Sequence, residues 1–101
     1  MTTPERSTLV RRILVEGAVQ GVGYREFTRR AALRLSVSGW VRNRSDGAVE
    51  ALVRGPPASV DALIAEMRLG PRFAVVKRLS VIGQDEPHGG DSGTFVVLST
   101  A

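Results

Sequence analysis

Between Val15 and Tyr24 the apolar pattern of the chain changes period, and the run at the change, Gly17-Ala18-Val19-Gln20-Gly21-Val22-Gly23-Tyr24-Arg25, holds three glycines and ends on an arginine. Ahead of it, Leu9 to Glu16 contains Ile13-Leu14-Val15 and stops at Gly17, which predicts a strand with two partly apolar faces. Behind it, Tyr24, Phe27, Ala31 and Leu35 share one helical face, while Glu26, Arg29, Arg30 and Arg34 lie mainly elsewhere around the helix. A strand that passes through such a loop into a helix presents backbone N–H groups at a helix N-terminus. The guanidinium of Arg25 adds a donor fork that fits phosphate oxygens. The run therefore reads as a phosphate-type anion site.

The rest of the chain repeats strand, helix, strand. Gly39-Trp40-Val41-Arg42-Asn43 and Ala48-Val49-Glu50-Ala51-Leu52-Val53-Arg54 flank Ser45-Asp46-Gly47, whose Asp-Gly pair predicts a hairpin between antiparallel strands. Gly55-Pro56-Pro57 suits a helix start, Val60, Leu63, Ile64 and Met67 recur at helical spacing, and Gly70-Pro71 ends the second helix. Phe73 to Ile82 is strand-like, Gln84 to Gly93 is a polar loop, and Thr94 to Ser99 offers a short fifth strand. The order β-α-β-β-α-β is the ferredoxin-like α+β plan, an antiparallel sheet with two helices on one face. In that plan the first and second strands run in the same direction with the third between them. The glycine loop and Asn43 then end up on one edge, two strand spacings or roughly 10 Å apart.

At 101 residues there is room for one core, so residues 9–99 are expected to form a single domain behind a flexible N-terminus at residues 1–8. The absence of cysteine excludes disulfides and thiolate metal sites and permits a reducing cytoplasm. With one histidine and no spaced carboxylate cluster, no metal site is expected. No apolar stretch approaches the roughly 18 residues of a membrane span, so no membrane partner is expected either. The net charge of +4 invites a nucleic-acid reading. All but one of the cationic residues are arginines scattered from Arg6 to Arg78 among acids, which fits a solvated surface better than a binding stripe.

The string Glu16-Gly17-Ala18-Val19-Gln20-Gly21-Val22-Gly23-Tyr24-Arg25, joined to Gly39-Trp40-Val41-Arg42-Asn43 and Asp46-Gly47-Ala48-Val49-Glu50, resembles the acylphosphatase family. The likeness extends over Leu9 to Leu98 and includes the breaks at Gly55-Pro56-Pro57 and Gly70-Pro71. The resemblance implies hydrolysis of the carboxyl–phosphate bond of a small acyl phosphate to a carboxylate and inorganic phosphate, with no metal and no cofactor. It implies further that Arg25 binds phosphate, that Asn43 positions the attacking water, and that the backbone from Gly17 to Tyr24 completes the cradle. Four positions depart from the usual pattern. Ala18 stands where many members carry a basic residue, Tyr24 replaces a common phenylalanine, and Ser36-Val37 replaces a frequent glycine and leucine at the end of the first helix.

So sparse a site is chemically sufficient. A carboxylate leaving group, with a conjugate-acid pKa of roughly 4 to 5, departs unprotonated at neutral pH. Phosphoryl transfer then asks mainly for positioning and charge stabilisation. Gln20 is read as holding the loop through backbone hydrogen bonds, Trp40 as sheet packing, and His88 as an exposed loop residue. Two non-enzymatic readings stand beside this one, a phosphate-binding module without turnover and an RNA-binding module. RNA modules of this plan stack bases on aromatics in the first and third strands, and neither strand contains one here. A similar domain opens a larger carbamoyl-transfer protein with cysteine-rich modules, but a chain ending at Ala101 without cysteine is expected to be a free-standing cytoplasmic hydrolase, and a monomer.

Overall fold

The structure is a computed structural model that describes residues 8–83 and 94–101. Along the chain come β1 (Leu9–Ala18), α1 (Tyr24–Arg34), β2 (Ser38–Asn43), β3 (Val49–Gly55), α2 (Pro57–Leu69), β4 (Val75–Gly83) and β5 (Phe95–Val97). The sheet order is β4-β1-β3-β2-β5. Because β3 is antiparallel to both β1 and β2, those two strands run in the same direction on either side of it, as the ferredoxin-like plan requires. The short fifth strand joins β2 in parallel, pairing Gly39 with Phe95 and Val41 with Val97, so the sheet is mixed. The expectations for most of the N-terminal segment, for the loop Gln84 to Gly93 and for His88 lie outside the described residues.

Strand alternation decides which side chains meet the helices. Ile13, Val15, Val41, Val49, Ala51 and Val53 point to the helical layer and are fully or nearly fully buried. They meet Tyr24, Ala31 and Ala32 from α1 and Val60, Leu63 and Met67 from α2. Phe27 and Leu35, expected on the apolar face of α1, are only half-buried, and Thr28 takes an interior position by donating its hydroxyl to Tyr24 O at 3.0 Å. Pro57 opens α2 at its first position, where its missing N–H costs nothing.

The helix-free face is held by charge. Glu50, only 4% exposed, accepts from Arg12 at 3.3 Å and from Arg42 at 3.0 Å. The Arg42 guanidinium in turn lies 4.8 Å from the centre of the Trp40 ring, which gives Trp40 its expected sheet-packing role.

Two strand boundaries differ from the pattern-based expectation. β1 continues past Gly17 to Ala18, pairing Gly17 with Val76 and Ala18 with Val75 across a register shift after Glu16. Gly17 makes this close approach feasible. Its φ is 134°, and a Cβ there would sit 2.1 Å from the Val75 carbonyl oxygen. β4 begins at Val75 rather than Phe73, because Ala74 N donates back to Pro71 O at 3.0 Å and turns the chain. Phe73 is left 74% exposed, with the Arg72 guanidinium 5.6 Å from its ring centre.

Candidate active site

The loop from Val19 to Gly23 joins β1 to α1 at the sheet edge where β2 also ends. Val19 is buried in the core and Val22 packs against it, which anchors the loop from below. Gly21 and Gly23 have φ of 78° and 79°, a left-handed conformation that other residues adopt only with strain. No protein atom lies within 4 Å of a Cβ placed on either, so the space above both is open. Gly23 caps α1 without a side-chain bond, and the helical ladder starts with Phe27 N donating to Gly23 O at 3.0 Å. The amides of the first turn therefore point out of the helix end, where the helix dipole favours an anion.

Arg25 and Asn43 line the same cleft, which has a volume of about 330 Å³. Gly21, Gly23 and the backbone around Tyr24 form one wall, and Val97 of β5 forms another. Arg25 is half-buried and has no carboxylate partner among the described residues. A cation in the first turn of a helix opposes the dipole, so its unpaired placement beside exposed amides favours an anionic ligand. Asn43, the last residue of β2, projects on the helical side of the sheet. Its Oδ1 is closed to solvent and accepts no hydrogen bond from the described residues. A buried acceptor left unpaired costs about 1–3 kcal/mol.

Glu26 also borders the cleft, but its carboxylate is engaged. Arg29 lies 2.6 Å from it and Arg30 3.0 Å, and their hydrogen bonds hold its pKa down to about 2. Among the described residues no group of three or more histidine, cysteine, aspartate or glutamate side chains is placed to hold a metal. No helix among them is long and apolar enough to cross a membrane.

The remaining residues of the sequence-derived cradle occupy other positions. Gly17 and Ala18 belong to β1 and do not line the cleft, which Val19 does, and Gly17 packs on β4. Gln20 turns its side chain to the β2–β3 hairpin, donating to Arg44 O and Ala48 O at 2.8 and 2.9 Å. Arg44 itself pairs with Asp46 at 3.2 Å. Asp46 Oδ1 accepts from Ala48 N at 3.0 Å, and that bond, followed by Arg44, lowers the Asp46 pKa. Sequence reasoning did not bring in Val97 or Glu26. The helical periodicity that places Glu26 outside the core also places it beside Arg25, a signal that was there to be read. Val97 had none, since it depends on how β5 pairs.

Comparison with known proteins follows the same outline. The family model for acylphosphatases matches residues 11–96. A curated acylphosphatase of Rhodopseudomonas palustris is 53% identical over 73 residues, covering 72% of this chain and 74% of that protein. The crystal structure of acylphosphatase from Bacillus subtilis superposes with a TM-score of 0.82 at 36% identity, over 89% of this chain and 98% of the other. An acylphosphatase structure from Coxiella burnetii gives 0.80 at 34% identity, over 97% and 100%. With the fold in agreement and the family model matching residues 11–96, the chain belongs to the acylphosphatase family.

Proposed function

We propose that the protein hydrolyses the carboxyl–phosphate bond of small acyl phosphates, with Arg25 as phosphate ligand and Asn43 as the residue that orients the attacking water. One observation carries the assignment of roles: Arg25, which has no ion-pair partner among the described residues, and Asn43 line one small cleft at the amide-bearing end of α1. Membership of a family of acylphosphatase hydrolases supports the reaction type.

In this reading the dianionic phosphate sits against the first-turn amides and Arg25, which stabilise charge on its equatorial oxygens. Water held by the Asn43 amide attacks phosphorus as the bond to the carboxylate oxygen breaks. The bonding electrons leave with the carboxylate, which needs no proton because its conjugate acid has a pKa of roughly 4 to 5. The water proton passes to a phosphate oxygen, giving carboxylate and dihydrogen phosphate, since an amide is too weak a base to keep it. The same reading has a monomer acting in the cytoplasm without a metal.

Hydrolysis of benzoyl phosphate at neutral pH with chelator present tests the proposal, using wild type, Arg25→Ala and Asn43→Ala after each is confirmed folded. Metal-independent turnover is expected, falling about a hundredfold or more in each variant. Wild-type rates equal to buffer, or full activity in either variant, would sink the assignment.

A further inference from the structure

The loop that carries the phosphate cradle and the hairpin that carries Asn43 are fastened together by one side chain. Gln20 Nε2 donates to Arg44 O at 2.8 Å and to Ala48 O at 2.9 Å, across 24 and 28 residues of sequence. These are the carbonyls that close the hairpin, since Arg44 N donates to Ala48 O at 2.8 Å and Gly47 N to Arg44 O at 3.1 Å. Each oxygen thus accepts twice, which uses both of its lone pairs, and the Gln20 amide commits both of its N–H groups. The remaining Oε1 is an acceptor and has nothing to offer a phosphate oxygen.

We propose that the Gln20 side chain is a positioning group that fixes Asn43 relative to the phosphate cradle and does not itself bind phosphate; this rests on the reading that Asn43 orients the attacking water. Val19 and Val22 anchor the loop to the core from below, while Gly21 and Gly23 adopt left-handed conformations with open space beside them, so the link to the hairpin falls to Gln20. The hairpin is braced on another side, where Ala101 N donates to Asn43 O and Ser45 N to Ala101 O, both at 3.0 Å. Without Gln20 the hairpin keeps that brace and the pairing of β3 with β1 but loses this side-chain link to the cradle. Water and phosphate then fall out of alignment while the phosphate contacts survive. A misplacement of about 1 Å costs on the order of a hundredfold in rate.

The test is a kinetic comparison of wild type, Gln20→Leu, Asn43→Ala and the double variant on benzoyl phosphate, with inorganic phosphate as competitive inhibitor. Gln20→Leu is expected to lower kcat by about ten- to a hundredfold, with the phosphate inhibition constant changed less than about twofold. In the Asn43→Ala background the same substitution is expected to cost nothing further. Gln20→Glu keeps the shape but sets a carboxylate against two carbonyls. It should be equally slow at neutral pH and recover part of its kcat as the pH falls toward about 4.3, where a protonated acid again donates. That variant also carries the test if Gln20→Leu does not fold. A phosphate inhibition constant that rises in step with the loss of kcat would overturn the proposal, as would an undiminished effect in the Asn43→Ala background or a Gln20→Glu enzyme without acid recovery. An Asn43→Ala enzyme as fast as wild type removes the water-orienting reading and this inference with it. A slow Asn43→Ala enzyme beside a normal Gln20→Leu enzyme overturns the Gln20 role alone.

Discussion

Tyr24 does more than fill the volume of the phenylalanine common at its position. Its hydroxyl donates to Met67 O at 2.7 Å inside the core. In a continuing helix that carbonyl would accept from the residue four further on, but Pro71 has no N–H to give. Burial pushes the phenol pKa well up, so the group remains a neutral donor at any working pH. Tyr24→Phe is expected to lower stability by about 1 kcal/mol, read as a Tm decrease of roughly 4–8 °C. Ser36 shows the opposite balance. It closes α1 with φ of 61°, donating from its N–H to Leu33 O at 3.2 Å while Val37 N donates to Ala32 O at 2.8 Å. This is the left-handed helix end that glycine adopts without strain. Ser36→Gly should therefore raise stability by about 0.5–1 kcal/mol, and a Tm no higher than wild type in calorimetry would contradict it. The Ser36-Val37 departure was legible in the sequence as a question about the helix end, and its answer is strain in the helix cap. That Arg25 and Asn43 lie at one sheet edge was legible because strand direction brings them together, and both line one cleft. The hydrogen bonds of Gln20 were legible only as a type, since sequence does not say which carbonyls lie within reach.

Helices and strand centres follow the apolar period closely, and their ends do not. The Asp46-Gly47 turn and the Pro56-Pro57 start are set by local backbone preferences, and the structure puts them where the sequence does. The extension of β1 to Ala18 and the late start of β4 depend instead on tertiary pairing, with Gly17 admitting the Val75 carbonyl and Ala74 turning back on Pro71. Glycine punctuates a strand in most contexts, so the pattern predicts an end at Gly17, where the structure has a close contact with β4. At the start of α1, Glu26 links the helix to acid stability. Its pKa is about 2 against an ordinary 4.5, so it binds a proton more readily in the unfolded chain. Its contribution is therefore complete above pH 4.5 and is lost as the pH falls from there toward 2. Thermal melts across that interval should show a fall in Tm that is shallower in Glu26→Gln. Because the carboxylate is solvent-exposed, the difference should shrink further in high salt.

For the whole molecule, the scattered arginines leave a net charge of +4 and a field that attracts anions without a dedicated stripe. For a dianionic acyl phosphate, kcat/KM is expected to fall a few-fold as salt rises from about 10 mM to 0.3 M, with kcat nearly constant. A flat profile would mean that local contacts alone govern encounter. The same arrangement of strands sets the order in which the parts become available. β4 lies against β1 and β5 against β2, so both margins of the sheet are supplied by its C-terminal strands, and Ala101 closes on Asn43 and Ser45. A chain still emerging from a ribosome holds Arg25 and Asn43 well before either margin exists. Domains that fold during synthesis do so as their segments emerge. Here catalytic competence should arrive only once residues up to Ala101 are outside the exit tunnel, and nascent chains arrested before β5 should be inert toward acyl phosphates.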